Sequence, residues 1–215
     1  MIRFFFYFRL VLTLGVVVFL SEAVSWGQVF IVKYHDIPNP DVMTSYMDVA
    51  PDNFKDHVEF IDRQGFNVVP LAAIAEWIES GTPLPPKAIG ICFDDNYIGN
   101  YENAFPILAA HQFHGTFFAH TGYVGVMTSK DHADWEELQK AEDSGFISVE
   151  SHTVTHPTLT ELDLDRLRYE LVESKRAIEA NLRNKICRLI VYPGGAQPGS
   201  SYDARVIEES IRAGY

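Results

Sequence analysis

Ala88-Ile89-Gly90-Ile91-Cys92-Phe93-Asp94-Asp95-Asn96 is an apolar run that ends abruptly in two adjacent acids. Six small or apolar residues, preceded by the turn-rich Gly81-Thr82-Pro83-Leu84-Pro85-Pro86, suit a strand buried on both faces. Two carboxylates directly after it cannot both be buried cheaply, because desolvating an ionised carboxylate costs several kcal/mol. A solvated turn would accommodate them, and so would a bound cation.

The pattern repeats outward from this stretch. Residues 29–34, 67–69, 115–119, 146–150 and 189–192 are further short runs rich in β-branched and aromatic side chains. Helical spacing fills the gaps. Residues 53–64 align Phe54, Val58 and Ile61 and stop at Gly65; residues 71–80 stop at Gly81. Residues 100–111, 135–144 and 201–213 read the same way, and the longest helix, 163–182, sets Leu164, Leu167, Leu171, Ile178 and Leu182 on one stripe. Alternating strands and helices imply parallel strands with right-handed crossovers, hence an α/β barrel or a doubly wound sheet. Both gather function at the carboxyl ends of their strands. There the chain places Tyr34-His35-Asp36, Asp94-Asp95-Asn96, His120, Ser151-His152 and Tyr192-Pro193.

With 215 residues, 47% of them hydrophobic, the chain can bury one sizeable core. Its 29 acidic against 17 basic residues, a net charge of −12, repel phosphate backbones and argue against nucleic acid as a partner. Two cysteines, Cys92 and Cys187, make no disulfide scaffold, and both read as small buried hydrophobes. At the amino terminus Arg3 and Arg9 precede an apolar run over 10–20 and the small residues Ala23 and Ser25, the parts of a secretory signal peptide over residues 1–25. Cleaved or kept as an anchor, the segment would export the domain formed by 26–215 to a periplasmic or extracellular space. It is also the chain's one expected contact with a membrane.

Ser151-His152-Thr153-Val154-Thr155-His156 spaces two histidines as neighbours on one helical turn, so both imidazoles can face one ion. The residue after His152 is not Glu, which excludes the His-Glu-x-x-His metalloprotease motif. With one carboxylate of the Asp94-Asp95 pair, the histidines make a three-ligand set that leaves positions open for water and substrate.

Phe93-Asp94-Asp95, then Ser151-His152-x-x-x-His156, then Tyr192-Pro193-Gly194-Gly195, in that order, resembles the polysaccharide deacetylases of carbohydrate esterase family 4, the NodB-homology fold. Val32-Lys33-Tyr34-His35-Asp36 and Asp134-Trp135-Glu136-Glu137-Leu138 are similar in detail to the branch acting on poly-β-1,6-N-acetylglucosamine. The resemblance implies a distorted (β/α) barrel. Six strands are legible where that barrel usually has seven, so the expected domain lacks its last strand. It also implies a divalent metal on Asp95, His152 and His156, usually zinc, with nickel, cobalt or iron in some members. Asp94 would be the general base and His35 the general acid, its protonated form favoured by Asp36. The backbone N–H of Gly194, next to Tyr192 and Pro193, would help hold the oxyanion. These roles match what amide hydrolysis needs.

The sequence departs from the family where Val191-Tyr192-Pro193-Gly194 replaces Arg-x-Pro-Tyr, where Asn96 replaces a common Gly, and where Glu150 replaces a small residue. His120 reads equally as a groove residue or a structural histidine. His57, His111 and His114 read as surface residues, and His132, between Asp131 and Ala133 in a polar loop, as solvated. Tyr97, Tyr123, Trp135 and Tyr202 are candidates for stacking on sugar rings, with core packing the commoner role. The expectation is a secreted, metal-dependent N-deacetylase of an acetylated amino-sugar polysaccharide. Its rivals are an O-deacetylase of acetylated xylan, an inactive glycan-binding or matrix protein, and an iron triad for oxygen chemistry, which nothing else in the chain supports.

Overall fold

Strand β3, Ala88–Phe93, is buried along its whole length and forms the axis of the fold. The computed structural model describes residues 12–13, 16–17, 29–195 and 202–215. The proposed signal segment therefore lies outside the described residues, apart from Leu12–Thr13 paired with Val16–Val17. One edge of β3 pairs in parallel with β1, Phe30–Tyr34, from Phe30 opposite Ile89 to Tyr34 opposite Phe93. Two strands share the other edge. The short β2, Asn67–Val68, takes Ala88 and Ile89, and β4, Gly115–Ala119, takes Cys92 and Phe93. Strand β5, Ile147–Ser151, then pairs with β4 over its full length. This split edge distorts the parallel sheet. Among the described residues, no pairing closes it back onto β1.

Alternation along the strands divides the core. Ile89, Ile91, Phe93, Phe117, Ile147 and Val149 face α1 (Pro51–Arg63), α3 (Phe105–Ala110), α4 (Trp135–Asp143) and the end of α5 (Leu164–Asn181). On the opposite face, Cys92 and Phe118 pack with Leu71 and Ile74 of α2, Leu71–Ser80. Helix α2 sits so close that a Cβ on Gly90 would fall 2.4 Å from Leu71 Cδ2 and 2.9 Å from Ile74 Cδ1. A side chain there would have to push those two side-chain ends aside. Helix α6, Ala204–Ala213, closes a smaller core of Leu159, Leu167, Leu171 and Val206. No helix of the described residues is long and apolar enough to cross a membrane.

Three expectations change. The strand read over 189–192 contracts to a bridge between Ser151 and Ile190, with Ser151 N–H donating to Leu189 O and Val191 N–H to Ser151 O. Strand β1 is an edge, with Phe30 and Ile31 each 53% exposed, so it is not buried on both faces. The helix expected over 100–111 opens with a wide π-type turn, Asn100–Ala104, ahead of α3. Pro106 has no N–H to donate to Glu102, and its ring crowds that carbonyl, so a regular α-turn is disfavoured there. Both cysteines are free and buried, and burial pushes the Cys92 thiol up to about 12.

Phe54 joins α1 to the two strands that deliver the site. Its ring lies 5.0 Å from Tyr34 and 5.7 Å from Phe93, and it is fully buried. Phe54→Ala should therefore cost about 3–5 kcal/mol in urea unfolding. A loss below about 1 kcal/mol would contradict this packing.

Candidate metal centre and active site

Asp94 begins where β3 ends. Its N–H still donates to Tyr34 O at 2.9 Å, and the chain then turns over through Asp95 and Asn96, both left-handed at φ 72° and 57°. Asp and Asn tolerate this conformation better than other side chains with a Cβ, so Asn96 can stand where glycine would also serve. Asn96 Nδ2 anchors the turn on Ala133 O at 3.0 Å. The turn leaves the Asp95 carboxylate pointing at two imidazoles.

His152 follows β5, and its Nδ1 donates to Val191 O at 2.7 Å. A carbonyl can only accept, so the proton sits on Nδ1 and the Nε2 lone pair is free. Burial, the largest influence, lowers the His152 pKa despite the Asp94 and Asp95 carboxylates nearby, which favours the neutral ring. His156 returns to the same point through a loop, not the helical turn that four-residue spacing suggests. Thr153 and His156 are left-handed at φ 70° and 59°, and His156 N–H donates to Thr153 Oγ1 at 3.1 Å. A β-branched residue at positive φ is strained, which the surrounding structure must enforce. His152 Nε2 and His156 Nε2 each lie 3.5 Å from Asp95 Oδ1, and the three ligand atoms are all within 4.8 Å of one another. A carboxylate oxygen, the fixed lone pair of His152 and the Nε2 atom of His156 converge on one point, and such an Asp-His-His set suits zinc or another transition metal.

Asp94 points elsewhere. Its Oδ2 pairs with Lys33 Nζ at 3.0 Å, while Oδ1 is buried with no hydrogen-bond partner among the described residues. Nothing in the local sequence marks Lys33 as the partner of Asp94. It is the one charge in β1 and sits opposite Cys92, so it shares the face of the sheet that Asp94 occupies two residues later. Glu150, a departure from the family pattern in sequence, has a structural role. Its Oε2 accepts the N–H groups of Arg188 and Leu189 at 2.8 and 2.9 Å, and Lys185 neutralises it at 3.0 Å. These bonds fix the segment whose Val191 carbonyl orients His152.

His35 is half-buried and lines a cavity of about 340 Å³ with Tyr97, Asp48 and Lys130. Asp36 does not support it as expected. Its carboxylate goes to Lys130 at 2.8 Å, an ammonium that also pairs with Asp48. His132 is 94% buried rather than solvated, because the loop before it folds over the ring. Its Nδ1 donates to Val126 O, and it packs against Tyr97, Tyr123 and His120. His120 Nε2 stands 3.9 Å from Asp95 Oδ1, farther than either candidate ligand. Burial, with the neighbouring imidazoles, pushes its pKa down to about 3. Tyr192 donates its hydroxyl to Ser210 at 3.0 Å, Pro193 is buried, and Gly194 is an exposed turn residue at φ 71°. Trp135 packs on the main core, and Tyr202 lies half-exposed beside Tyr192.

Comparison with known proteins identifies the family and the fold. The family model described as "Polysaccharide deacetylase" matches residues 81–215, and the chain belongs to that family. It is 25% identical over 134 residues to the poly-beta-1,6-N-acetyl-D-glucosamine N-deacetylase of Escherichia coli (strain K12), covering 57% of this chain and 20% of that protein. It covers 61% of a Bacillus subtilis (strain 168) relative, so it spans less than two thirds of these curated proteins. The fold is shared with the Streptococcus pyogenes deacetylase PplD, at TM-score 0.75 and 22% identity, covering 88% of this chain and 80% of that one. It is shared equally with IcaB from Ammonifex degensii, at TM-score 0.75 and 19% identity, covering 87% and 81%.

The Lys33–Asp94 pair can be tested in metal-free protein. Lys33→Met should destabilise by about 1–3 kcal/mol, because it strands a buried carboxylate, and adding Asp94→Asn should recover much of that loss. Strictly additive losses in urea unfolding would show that the two side chains do not interact.

Proposed function

We propose that the domain is a metal-dependent hydrolase that removes N-acetyl groups from a β-linked N-acetylglucosamine polysaccharide. The observation that carries the reading is the convergence of Asp95 Oδ1, His152 Nε2 and His156 Nε2 beside the unpartnered Oδ1 of Asp94. A cation held there, most simply zinc, with nickel, cobalt or iron as alternatives, would polarise the acetyl carbonyl and acidify the attacking water. Asp94 Oδ1 takes the proton of that water as it adds to the carbonyl carbon, while Lys33 keeps the carboxylate aimed. His35, in the cleft with Tyr97, returns a proton to the amine nitrogen as the carbon–nitrogen bond breaks, and acetate leaves. The Gly194 N–H is assigned to the developing oxyanion. The polymer is taken from the printed name of the Escherichia coli relative. Export through residues 1–25 suits a substrate outside the cytoplasm, with no membrane contact beyond that segment and no nucleic acid partner.

The test is acetate release from poly-N-acetylglucosamine and from acetylxylan, with and without chelator. Release from the amino-sugar polymer, abolished by chelator and restored by metal, supports the reading. Release from acetylxylan alone would make the domain an O-deacetylase. In the same assay Asp94→Asn should keep its metal and lose about 10²–10⁴ in rate. His156→Ala should lose metal and activity together, while His35→Gln should keep metal and lose the alkaline limb of the pH–rate profile. Metal-free Asp94→Asn, or His35→Gln with normal turnover, would overturn the corresponding role.

A further inference from the structure

Glu170 lies on the buried stripe of α5, three residues after Leu167 and four before Ser174, and is 0% exposed. A carboxylate among apolar neighbours is costly unless its lone pairs are filled. Here they are filled by one short stretch of backbone. Oε2 accepts the N–H groups of Val154 and Thr155 at 2.8 and 2.9 Å, and Oε1 accepts the Thr155 hydroxyl at 2.7 Å. Arg166 approaches Oε1 at 3.5 Å from the exposed side. The two amides belong to the loop joining His152 to His156, the loop that is left-handed at Thr153 and His156.

We propose that Glu170 is a positioning residue for the metal centre: it holds the 153–156 loop in its strained conformation and so aims His156 at Asp95. The proposal rests on the metal reading of the site. It follows from an asymmetry between the two histidines. His152 is 2% exposed and fixed by its own bond to Val191 O. The His156 side chain is 40% exposed, and its ring makes no hydrogen bond among the described residues. Its direction is therefore set by its backbone. That backbone is tied on one side by His156 N–H to Thr153 Oγ1, and by Thr121 and Gly122 donating to Thr153 O and Val154 O. Glu170 supplies the ties on the other side, taking both amides at the crest of the loop. Without it, Thr153 and His156 can relax out of positive φ, and the His156 imidazole swings away from the other ligands.

The experiment compares Glu170→Gln with Leu171→Ala in the full chain. Leu171 is a fully buried neighbour on the same helix that makes no bond to the loop. Zinc affinity is read by competition with a chromophoric chelator, ligand geometry by the visible spectrum of the cobalt form, and loop order by amide exchange at Val154 and Thr155 without metal. Glu170→Gln should weaken zinc by about 10–100-fold, change the cobalt spectrum and speed exchange at both amides. Leu171→Ala should lower Tm while leaving affinity and spectrum unchanged. Wild-type affinity in Glu170→Gln overturns the proposal, and so does an equal loss in Leu171→Ala, which would mean general destabilisation. If Glu170→Gln does not fold, Thr155→Val removes one donor from the same carboxylate and should weaken zinc severalfold; unchanged affinity overturns the proposal. Failure of the wild-type chain to bind zinc would overturn the metal reading instead, and unchanged amide exchange in Glu170→Gln would then overturn the loop-holding role.

Discussion

The parallel register at the end of β3 sets the position of everything chemical in this protein. Tyr34 lies opposite Phe93, and Phe93 lies opposite Phe117, so β1 and β3 finish at the same height while β4 runs two residues further. Their rings lock that height: Phe93 stacks on Tyr34 at 5.5 Å and meets Phe117 edge-on at 5.3 Å. Beyond the aromatic layer the ladder between β1 and β3 stops. The next residues, His35 and Asp94, and a few positions later Asp95 and His120, emerge together. Strand β5 adds His152 because Ser151 is still paired with Ala119. A slip of one residue in any of these pairings would turn the site residues toward the opposite face.

Above that layer, buried charge is arranged around acceptors. Glu150, Glu170 and Asp94 are each almost fully buried; Glu150 is matched to Lys185 and two amides, Glu170 to two amides and a hydroxyl, and Asp94 to Lys33 through Oδ2 alone. Matched in this way, carboxylates specify one arrangement of the chain, whereas unmatched ones would oppose folding. Asp95 is the exception. Its neighbours at 3.5 Å are imidazole nitrogens, one of them held with its lone pair toward it. A cation bound there would satisfy all three groups at once.

The sequence was most legible where burial is complete. Strands β3 and β4 and helix α2 fall on the expected residues, because an unbroken apolar run or a glycine stop leaves little choice. It was least legible where tertiary contacts decide. The 189–192 run looks like a strand but keeps one bridge, since Glu150, neutralised by Lys185, captures the amides of Arg188 and Leu189 where it begins. Helical spacing suggests one turn for the histidine pair, yet it converges through two strained residues held by Thr153 within the loop and by Glu170 from α5. His132 has polar neighbours in sequence and aromatic neighbours in space. Lys33 and Glu170 each left a local trace, a charge on an apolar stripe, but that trace does not name a partner.

Anomalous diffraction at the zinc edge, from crystals of the metal-loaded domain, tests the central claim most directly. The account predicts one peak per chain, about 2.0–2.2 Å from an Asp95 carboxylate oxygen and from Nε2 of both His152 and His156. It also predicts that Asp94 lies outside bonding distance of the ion and stays paired with Lys33. A peak that omits His156, recruits Asp94 as a ligand, or lies elsewhere in the molecule would contradict it.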